Sequence, residues 1–448
     1  MILLMTTAPP LNSPWIHGRP FPPLGLAYVA AALEKEDFKV ECIDNYLLNK
    51  PIDYIKLEVK RSNPKIVGIS CGSVTYLRCV ETARAVKEVL PSCKIVVGGP
   101  HPSCMPESML QHPEIDYVVM GEGERAMVDL ATNLTRNGDD SAISTIPGVA
   151  YRHEGKIIRN TPTFISDLDK VPYPARHLLP THLYSREIEF LSVKPVDHMN
   201  VIRGCPYNCT FCETKKIWGY KSRAFSPPRV IEEIEHLINK FGTKGIYFAG
   251  DNFTIQKKRT LEICDLIRKH KLDIEWVCDT RVDLISRRLL KEMKDAGCRT
   301  IWFGVESGSP RILEKINKHI TLQQAVDAFK LCKEEGIKTA CSFILGIPGE
   351  TINDMNASFR FAKKLDPDWV RFNIFVAVPG SILYDEILQK QLYERLEGFV
   401  AYVETEDFNY ESLLGIQRRF LKRFNRSPKR ILRKIRSEGF ISALRKHL

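Results

Sequence analysis

Residues 203–212, Arg-Gly-Cys-Pro-Tyr-Asn-Cys-Thr-Phe-Cys, put Cys205, Cys209 and Cys212 on one short loop, at gaps of three and two residues. Phe211 stands just before the last of them. Three thiolates spaced this way can hold three corners of a cubane iron–sulfur cluster, where a ferredoxin site would add a fourth cysteine. No fourth cysteine follows nearby, so one iron is left open to bind a substrate or cofactor. An open iron on a reducible cluster is a place for chemistry, beyond passing electrons. The competing readings are a structural zinc loop and three unrelated core cysteines. Zinc prefers paired cysteine gaps and a fourth ligand, and the sequence offers neither.

The elements that must position this loop read as two alternations of strand and helix. At 448 residues with 44% hydrophobic content, the chain has material for two or three globular domains. In residues 1–145, Ile2–Thr6, Lys39–Asp44, Ile66–Ser70, Lys94–Gly98 and Tyr117–Met120 read as strands. Helical spacing recurs between them, at Leu26, Val29, Ala30 and Leu33 and at Val80, Ala83, Val86 and Leu90. This pattern predicts an α/β fold with a doubly wound, Rossmann-like parallel sheet, whose ligands bind beyond the strand C-termini. No Gly-x-Gly-x-x-Gly turn is present, and Gly121-Glu122-Gly123-Glu124 carries acids where a pyrophosphate would sit.

Residues 146–195 read as a proline-punctuated linker that includes a small hairpin, Val149–Arg152 with Lys156–Arg159. The alternation resumes over residues 196–390. Strands at His198–Arg203, Gly245–Ala249, Glu275–Asp279, Thr300–Gly304, Lys338–Leu345 and Trp369–Phe375 predict a partial (β/α)6 barrel. Its chemistry belongs at the strand C-termini, where the cysteine loop emerges. Residues 391–448 read as an extension ending in a basic helical tail.

The cysteine spacing with its aromatic resembles the radical S-adenosylmethionine (radical SAM) family. In that family the open iron chelates the amino and carboxylate groups of SAM, and reductive cleavage yields a 5′-deoxyadenosyl radical. The resemblance implies a [4Fe–4S] cluster on Cys205, Cys209 and Cys212, and places Phe211 among the cofactor-binding positions. It also implies that Gly250 and Asp251 lie near the SAM amino group, and that Arg281 pairs with its carboxylate. Glu306 and Ser307 then suit the ribose, and Gly346 and Ile347 the adenine. Phe375–Tyr384 resembles the family's last barrel loop and is expected to face substrate.

Residues 22–28, Gly-Gly-Pro-His (98–101) and Gly-Glu-Gly-Glu (121–124) look like the cobalamin-binding domain of cobalamin-dependent radical SAM enzymes. The resemblance covers about residues 1–390. It implies a corrinoid over the sheet edge, its nucleotide tail running into the fold beside Ser70, Ser73, Thr75, Gly98 and Gly99. Where the better-known corrinoid domains carry Asp-x-His-x-x-Gly, this chain has Asp44-Asn45-Tyr46-Leu47-Leu48-Asn49, without the ligand histidine. His101 is the candidate replacement as a cobalt contact. The competing reading makes it a hydrogen-bonding residue.

The function implied is methylation of an unactivated carbon, with the alternative of radical cyclisation or oxidation without methyl transfer. A methylthiotransferase acting on tRNA shares the barrel, but would carry a second cysteine set and a β-rich RNA domain. The other ten cysteines show no second ligand set, and no recognised RNA fold is present, so nucleic acid is not an expected partner. Of 65 basic and 54 acidic residues, twelve basic and one acidic (Glu438) fall within 417–448, leaving 53 of each elsewhere. The whole excess of +11 therefore sits in the tail. From Ser427-Pro428 onward, Ile431, Leu432, Ile435, Ile441 and Leu444 form an apolar stripe among cations. Such a helix suits a membrane surface, and with it a small-molecule or lipid-like, pigment-like substrate. Thirteen cysteines without a secretory signal segment point to a reducing, cytoplasmic location. An external electron donor of flavodoxin or ferredoxin type completes the expected partners.

Overall fold

The computed structural model describes residues 1–10, 21–137, 140–427 and 430. Five short strands rich in β-branched residues begin the chain: β1 (Ile2–Thr6), β2 (Val40–Asp44), β3 (Ile66–Ser70), β4 (Lys94–Gly98) and β5 (Tyr117–Val119). They pair in parallel in the order β2-β1-β3-β4-β5. Their side chains alternate between two covered faces. Leu4, Val96 and Val119 pack with Leu26, Leu33 and Leu130 of helices Leu24–Lys35 and Gly123–Thr132. Leu3, Met5, Val67 and Val97 pack with Val59 and Val86 of helices Ile52–Ser62 and Tyr76–Val89. Coverage on both faces explains why these strands are almost wholly apolar.

The hairpin of β6 (Val149–His153) and β7 (Lys156–Arg159), read from sequence as part of the linker, joins this sheet. β6 runs antiparallel to β5, with Tyr151 opposite Tyr117, and the sheet grows to seven strands. The segment that follows is packed, not loose. Leu168 and Val171 enter the core of the second domain, the buried Arg176 donates to the His198 carbonyl at 2.7 Å, and Tyr184 donates to Asp44 at 2.8 Å.

The second sheet starts with β8 (Val196–Asn200). The sequence reading continued this strand to Arg203, but the chain leaves the sheet at Val201. A two-residue strand, β9 (Ile202–Arg203), turns out to pair antiparallel with β10 (Arg223–Ala224). The wall continues through β11 (Gly245–Ala249), β12 (Glu275–Thr280), β13 (Cys298–Glu306), β14 (Lys338–Leu345) and β15 (Trp369–Ile374). With β8 these make six parallel strands in sequential order, the expected half-barrel. Outward residues such as Phe248, Trp276, Phe303, Phe343 and Phe372 form the core beneath the helices. At the strand N-termini, Phe190 of the linker stands edge-on to Trp302 and Trp369, with ring centroids 5.1 and 5.2 Å away.

The extension is more structured than its sequence suggested. β16 (Val376–Ala377), β17 (Tyr393–Glu397) and β18 (Val400–Val403) form an antiparallel ladder. Helix Tyr410–Asn425 follows, opened by a reciprocal cap between Asn409 and Ser412. Its stripe of Leu413, Ile416, Phe420 and Phe424 is buried, with Phe420 stacked 4.7 Å from Phe359 and edge-on to Phe372 at 5.4 Å. The basic amphipathic helix expected from Ser427 onward lies outside the described residues apart from Ser427 itself and Arg430, which donates to the Pro367 and Asp368 carbonyls.

The two domains are joined at one buried charge node. The turn at Val201 carries Arg203 away from the barrel wall and toward the Gly-Glu-Gly-Glu loop of the first domain. There its guanidinium donates to Glu122 at 2.8 Å and to Glu124 at 2.6 Å. Arg223 meets Glu122 from the other side at 2.8 Å, so two carboxylates face two cations. Arg203 is 1% exposed and the Glu122 side chain is fully buried, where removing one partner of an ion pair strands a charge. Arg203→Met should therefore lower stability by about 3–5 kcal/mol, read as a fall in the urea midpoint, and Arg223→Met, at the wetter edge, should cost less. A midpoint equal to the parent's for Arg203→Met would show that the node does not hold the domains.

Candidate active site

The cysteine loop begins on a residue that only glycine can be. Gly204 has φ +88°, and a Cβ there would lie 2.4 Å from the Lys221 carbonyl oxygen. Its N–H donates to Asp251 at 2.9 Å, fixing the loop to the end of β11. Further along, Thr210 N donates to the Ile316 carbonyl at 3.0 Å and Leu383 N donates to the Thr210 carbonyl at 2.9 Å. Asn317 donates to the Asn208 carbonyl at 2.7 Å, and the Arg281 guanidinium lies 3.7 Å from the Tyr207 ring centre. Segments that follow four different barrel strands thus hold one cysteine-bearing turn.

All thirteen cysteines are free thiols, and eight of the ten outside the loop are buried. Cys205, Cys209 and Cys212 remain partly open. The Asn252 amide donates to Cys205 Sγ at 3.3 Å, and Cys212 Sγ lies 3.1 Å from Thr214 Oγ1. Burial raises the Cys205 and Cys209 thiols, while Lys318 and Arg281 pull Cys209 back toward the thiolate. Among the described residues, no three of His, Cys, Asp or Glu converge closely enough to hold a single metal ion. Thiolates that each take a separate iron of a cubane need not converge, so the donor set suits a cluster better than a zinc ion.

The other strand ends divide into two kinds. Gly250 (φ +129°) and Asp251 stand beside the cysteine loop. Glu306, in the left-handed region at φ +66°, is buried against Lys318 at 2.9 Å and Ser342 at 3.3 Å. Lys318 also lies 6.0 Å from the centre of the half-buried Phe211 ring. Arg281, expected to pair with a carboxylate ligand, is bidentate to Asp283 at 2.9 and 3.0 Å and donates to the Lys318 carbonyl at 2.8 Å. It braces the loop through Tyr207. Ser307 is fully buried, turned to Ser358 at 3.2 Å in the helix layer. Gly346 and Ile347 both donate to Glu350, at 2.7 and 3.2 Å, and Leu413 packs over Gly346. Burial pushes Glu350 up to about 8.

Inside the half-barrel a polar wall faces the open side, formed by His198, Tyr247, Asp279, Trp302, Ser342 and Arg371. Tyr247 donates to Asp279 at 2.6 Å, and burial pushes the Asp279 carboxyl up to about 7. Arg371 lies 4.8 Å over Trp302, and Phe21 of the first domain stacks on His198 at 4.8 Å. Sequence reasoning missed Lys318 and this wall. The available signal was alternation. Polar residues two apart, such as Arg371 and Asn373, on a strand whose alternate residues Phe372 and Ile374 are buried mark an interior that is not filled.

At the edge of the first sheet a cavity of about 320 Å³ runs down between the strands and the helices Leu24–Lys35 and Gly123–Thr132. Ser70, Gly98 and Gly99 line it, as expected, together with Gly68, Leu4 and Val119. Gly99 has φ +109°, and a Cβ there would lie 2.8 Å from the Cys71 carbonyl oxygen. Tyr28, Asn200 and Arg203 also line the cavity, and Tyr28 Oη, Asn200 Oδ1 and Arg203 Nε are buried with no hydrogen-bond partner among the described residues. Orphaned polar atoms along a largely apolar slot suit the polar tail of a corrinoid. Ser73, Thr75 and His101 are absent from the lining. His101 is buried with one ring nitrogen 3.1 Å from Ser73 and the other 3.0 Å from Ser108, and Thr75 closes on Gly72 N at 3.0 Å. With both nitrogens committed, His101 is a hydrogen-bonding residue in this structure.

The Radical SAM superfamily matches residues 199–362, and the B12 binding domain matches residues 18–131. A protein named an uncharacterized methyltransferase from Pyrococcus horikoshii is 35% identical over 435 residues, covering 95% of this chain and 93% of the relative. An anaerobic magnesium-protoporphyrin IX monomethyl ester cyclase from Rubrivivax gelatinosus is 30% identical over 378 residues, 83% of this chain and 67% of the relative. The cobalamin-dependent S-adenosylmethionine radical enzyme OxsB, solved with aqua-cobalamin and S-adenosylmethionine, shares the fold. Its TM-score is 0.76 at 18% identity, over 97% of this chain and 68% of that one. Both family matches fall on the two sheets in the order that the cavity and the cysteine loop require, and this chain belongs to the cobalamin-dependent radical SAM enzymes, whose cofactors are a [4Fe–4S] cluster, S-adenosylmethionine and cobalamin.

Proposed function

We propose that this enzyme transfers a methyl group to an unactivated carbon of a small or lipid-like substrate held in the half-barrel. The observation that carries the reading is the Arg203 node, which sets the cysteine loop and the corrinoid-facing edge against one cleft. When bound, the cluster and SAM supply a carbon-centred radical for hydrogen abstraction, and the corrinoid supplies the methyl group. The chain's own residues hold and shield these groups. Cys205, Cys209 and Cys212 anchor the iron, and the Asn252 amide donates to the first thiolate. In this reading Gly250, Asp251 and the Glu306–Lys318 pair meet SAM, supported by their position beside that loop. Ser70, Gly98 and Gly99, with the orphaned atoms of Tyr28 and Asn200, meet the corrinoid tail, supported by the cavity that they line.

Tyr247, Asp279 and Arg371 offer hydrogen bonds to substrate from the inner wall. Phe190 and Phe21 cover that wall from below and from the side, which limits water. The electron comes from an external donor of flavodoxin or ferredoxin type, and the basic tail is the part suited to a membrane surface. No helix among the described residues is long and apolar enough to cross a membrane. A second reading, ring closure or oxidation without methyl transfer, is favoured by the resemblance to the cyclase of Rubrivivax gelatinosus.

The two readings differ in their products. Anaerobic reconstitution with iron, sulfide and hydroxocobalamin, then incubation with S-adenosylmethionine and a low-potential reductant such as dithionite, should give both 5′-deoxyadenosine and S-adenosylhomocysteine by mass spectrometry. 5′-Deoxyadenosine without S-adenosylhomocysteine would replace methylation by the second reading. Cys209→Ala should abolish 5′-deoxyadenosine while hydroxocobalamin uptake, followed by absorbance, stays at the parent level. Loss of uptake as well would show that the two sites are not separable as described.

A further inference from the structure

The corrinoid-facing rim of the first domain is made of the loops after β3 and β4, and the Ser73–His101 hydrogen bond at 3.1 Å ties one to the other. His101 directly follows Gly98, Gly99 and Pro100, which line the cavity. On its far side the rim does not end in solvent. The tip of the β17–β18 hairpin, Gly398-Phe399, reaches it from the C-terminal extension. The Phe399 ring centroid lies 4.9 Å from that of His101 and 4.9 Å from that of Tyr76, the latter edge-on at 83°. Tyr76 in turn lies 5.0 Å from His101 and donates its hydroxyl to His112 or accepts from it at 2.7 Å. Gly398, at φ +62°, brings its backbone against the same ring. A Cβ there would lie 3.2 Å from Tyr76 Cδ1.

We infer that Phe399 is a positioning residue for the corrinoid site, bracing the rim loops through His101 and Tyr76. This rests on the reading that the corrinoid lies over that edge. The hairpin is anchored to the barrel, since β18 pairs with β16 directly after the last barrel strand. Phe399 therefore ties the rim to the catalytic domain at a second point, apart from Glu122 and Glu124. Phe399 is not among the residues that line the cavity, and its effect passes through His101 to Gly98–Pro100. Without the ring, His101 and Tyr76 lose one aromatic face each, the loops lose an outer support, and a bound corrinoid must pay for ordering them.

The test uses the full chain without corrinoid, titrated with hydroxocobalamin and followed by tryptophan fluorescence. Phe399→Ala should weaken binding about tenfold, from the loss of two aromatic contacts. Phe399→Tyr, which keeps the ring, should stay within about twofold of the parent. Without corrinoid the midpoint of thermal unfolding should stay at the parent's in Phe399→Tyr and fall in Phe399→Ala, which loses the ring's contacts with His101 and Tyr76. Unaltered affinity in Phe399→Ala would overturn the inference, and so would a loss of affinity in Phe399→Tyr as large as that in Phe399→Ala. A parent chain that takes up no hydroxocobalamin would instead overturn the corrinoid reading on which the inference stands.

Discussion

The Arg203 guanidinium, held between the carboxylates of Glu122 and Glu124, is the contact on which the catalytic geometry depends. A cation this deeply buried is tolerated only when its partners are fixed, so the position of the Gly-Glu-Gly-Glu loop and that of β9 cannot vary separately. Gly204 and Cys205 follow Arg203 directly, and the cysteine loop inherits its place from this pairing. The same contact explains a composition that would be wrong for a phosphate site. The two acids of that loop face a neighbouring domain's arginine.

Around this anchor the half-barrel separates two environments by strand alternation alone. Outward positions are large and apolar and form the main core. Inward positions such as Tyr247, Asp279, Ser342 and Arg371 are polar and only partly covered. A filled barrel would place branched aliphatic residues there. The strand ends then serve two purposes. Some, such as Asp251 and Asn252, act on the cysteine loop itself. Others, such as Ser307 and Gly346, lock strands to the helix layer and to helix Tyr410–Asn425.

This division marks how far the sequence could be read. Strand positions were legible because short β-branched runs bounded by glycine and proline leave few alternatives, and Ile2–Thr6, Gly245–Ala249 and Lys338–Leu345 fall where expected. The cysteine spacing carried its own chemistry. Side-chain partners were not legible. Arg281 sits at the expected strand end, yet an aspartate two residues on captures its guanidinium. Ser73 and His101 lie in the expected loops but bond to each other. The break of the strand at Val201 was missed because it is set by contacts between segments far apart in sequence, Ile202–Arg203 with Arg223–Ala224, which local periodicity does not report. The β17–β18 hairpin is local, but its strand Tyr393–Glu397 is mostly charged and its turn is Gly398-Phe399, so neither apolar alternation nor a common turn pair marks it.

Phe190 gives the architecture a direction. Wedged between Trp302 and Trp369, it corks the end of the vessel opposite the strand termini that carry the cysteine loop. A ring seated there gives the cleft a floor, and so fixes its depth as the distance between that aromatic trio and the cysteines.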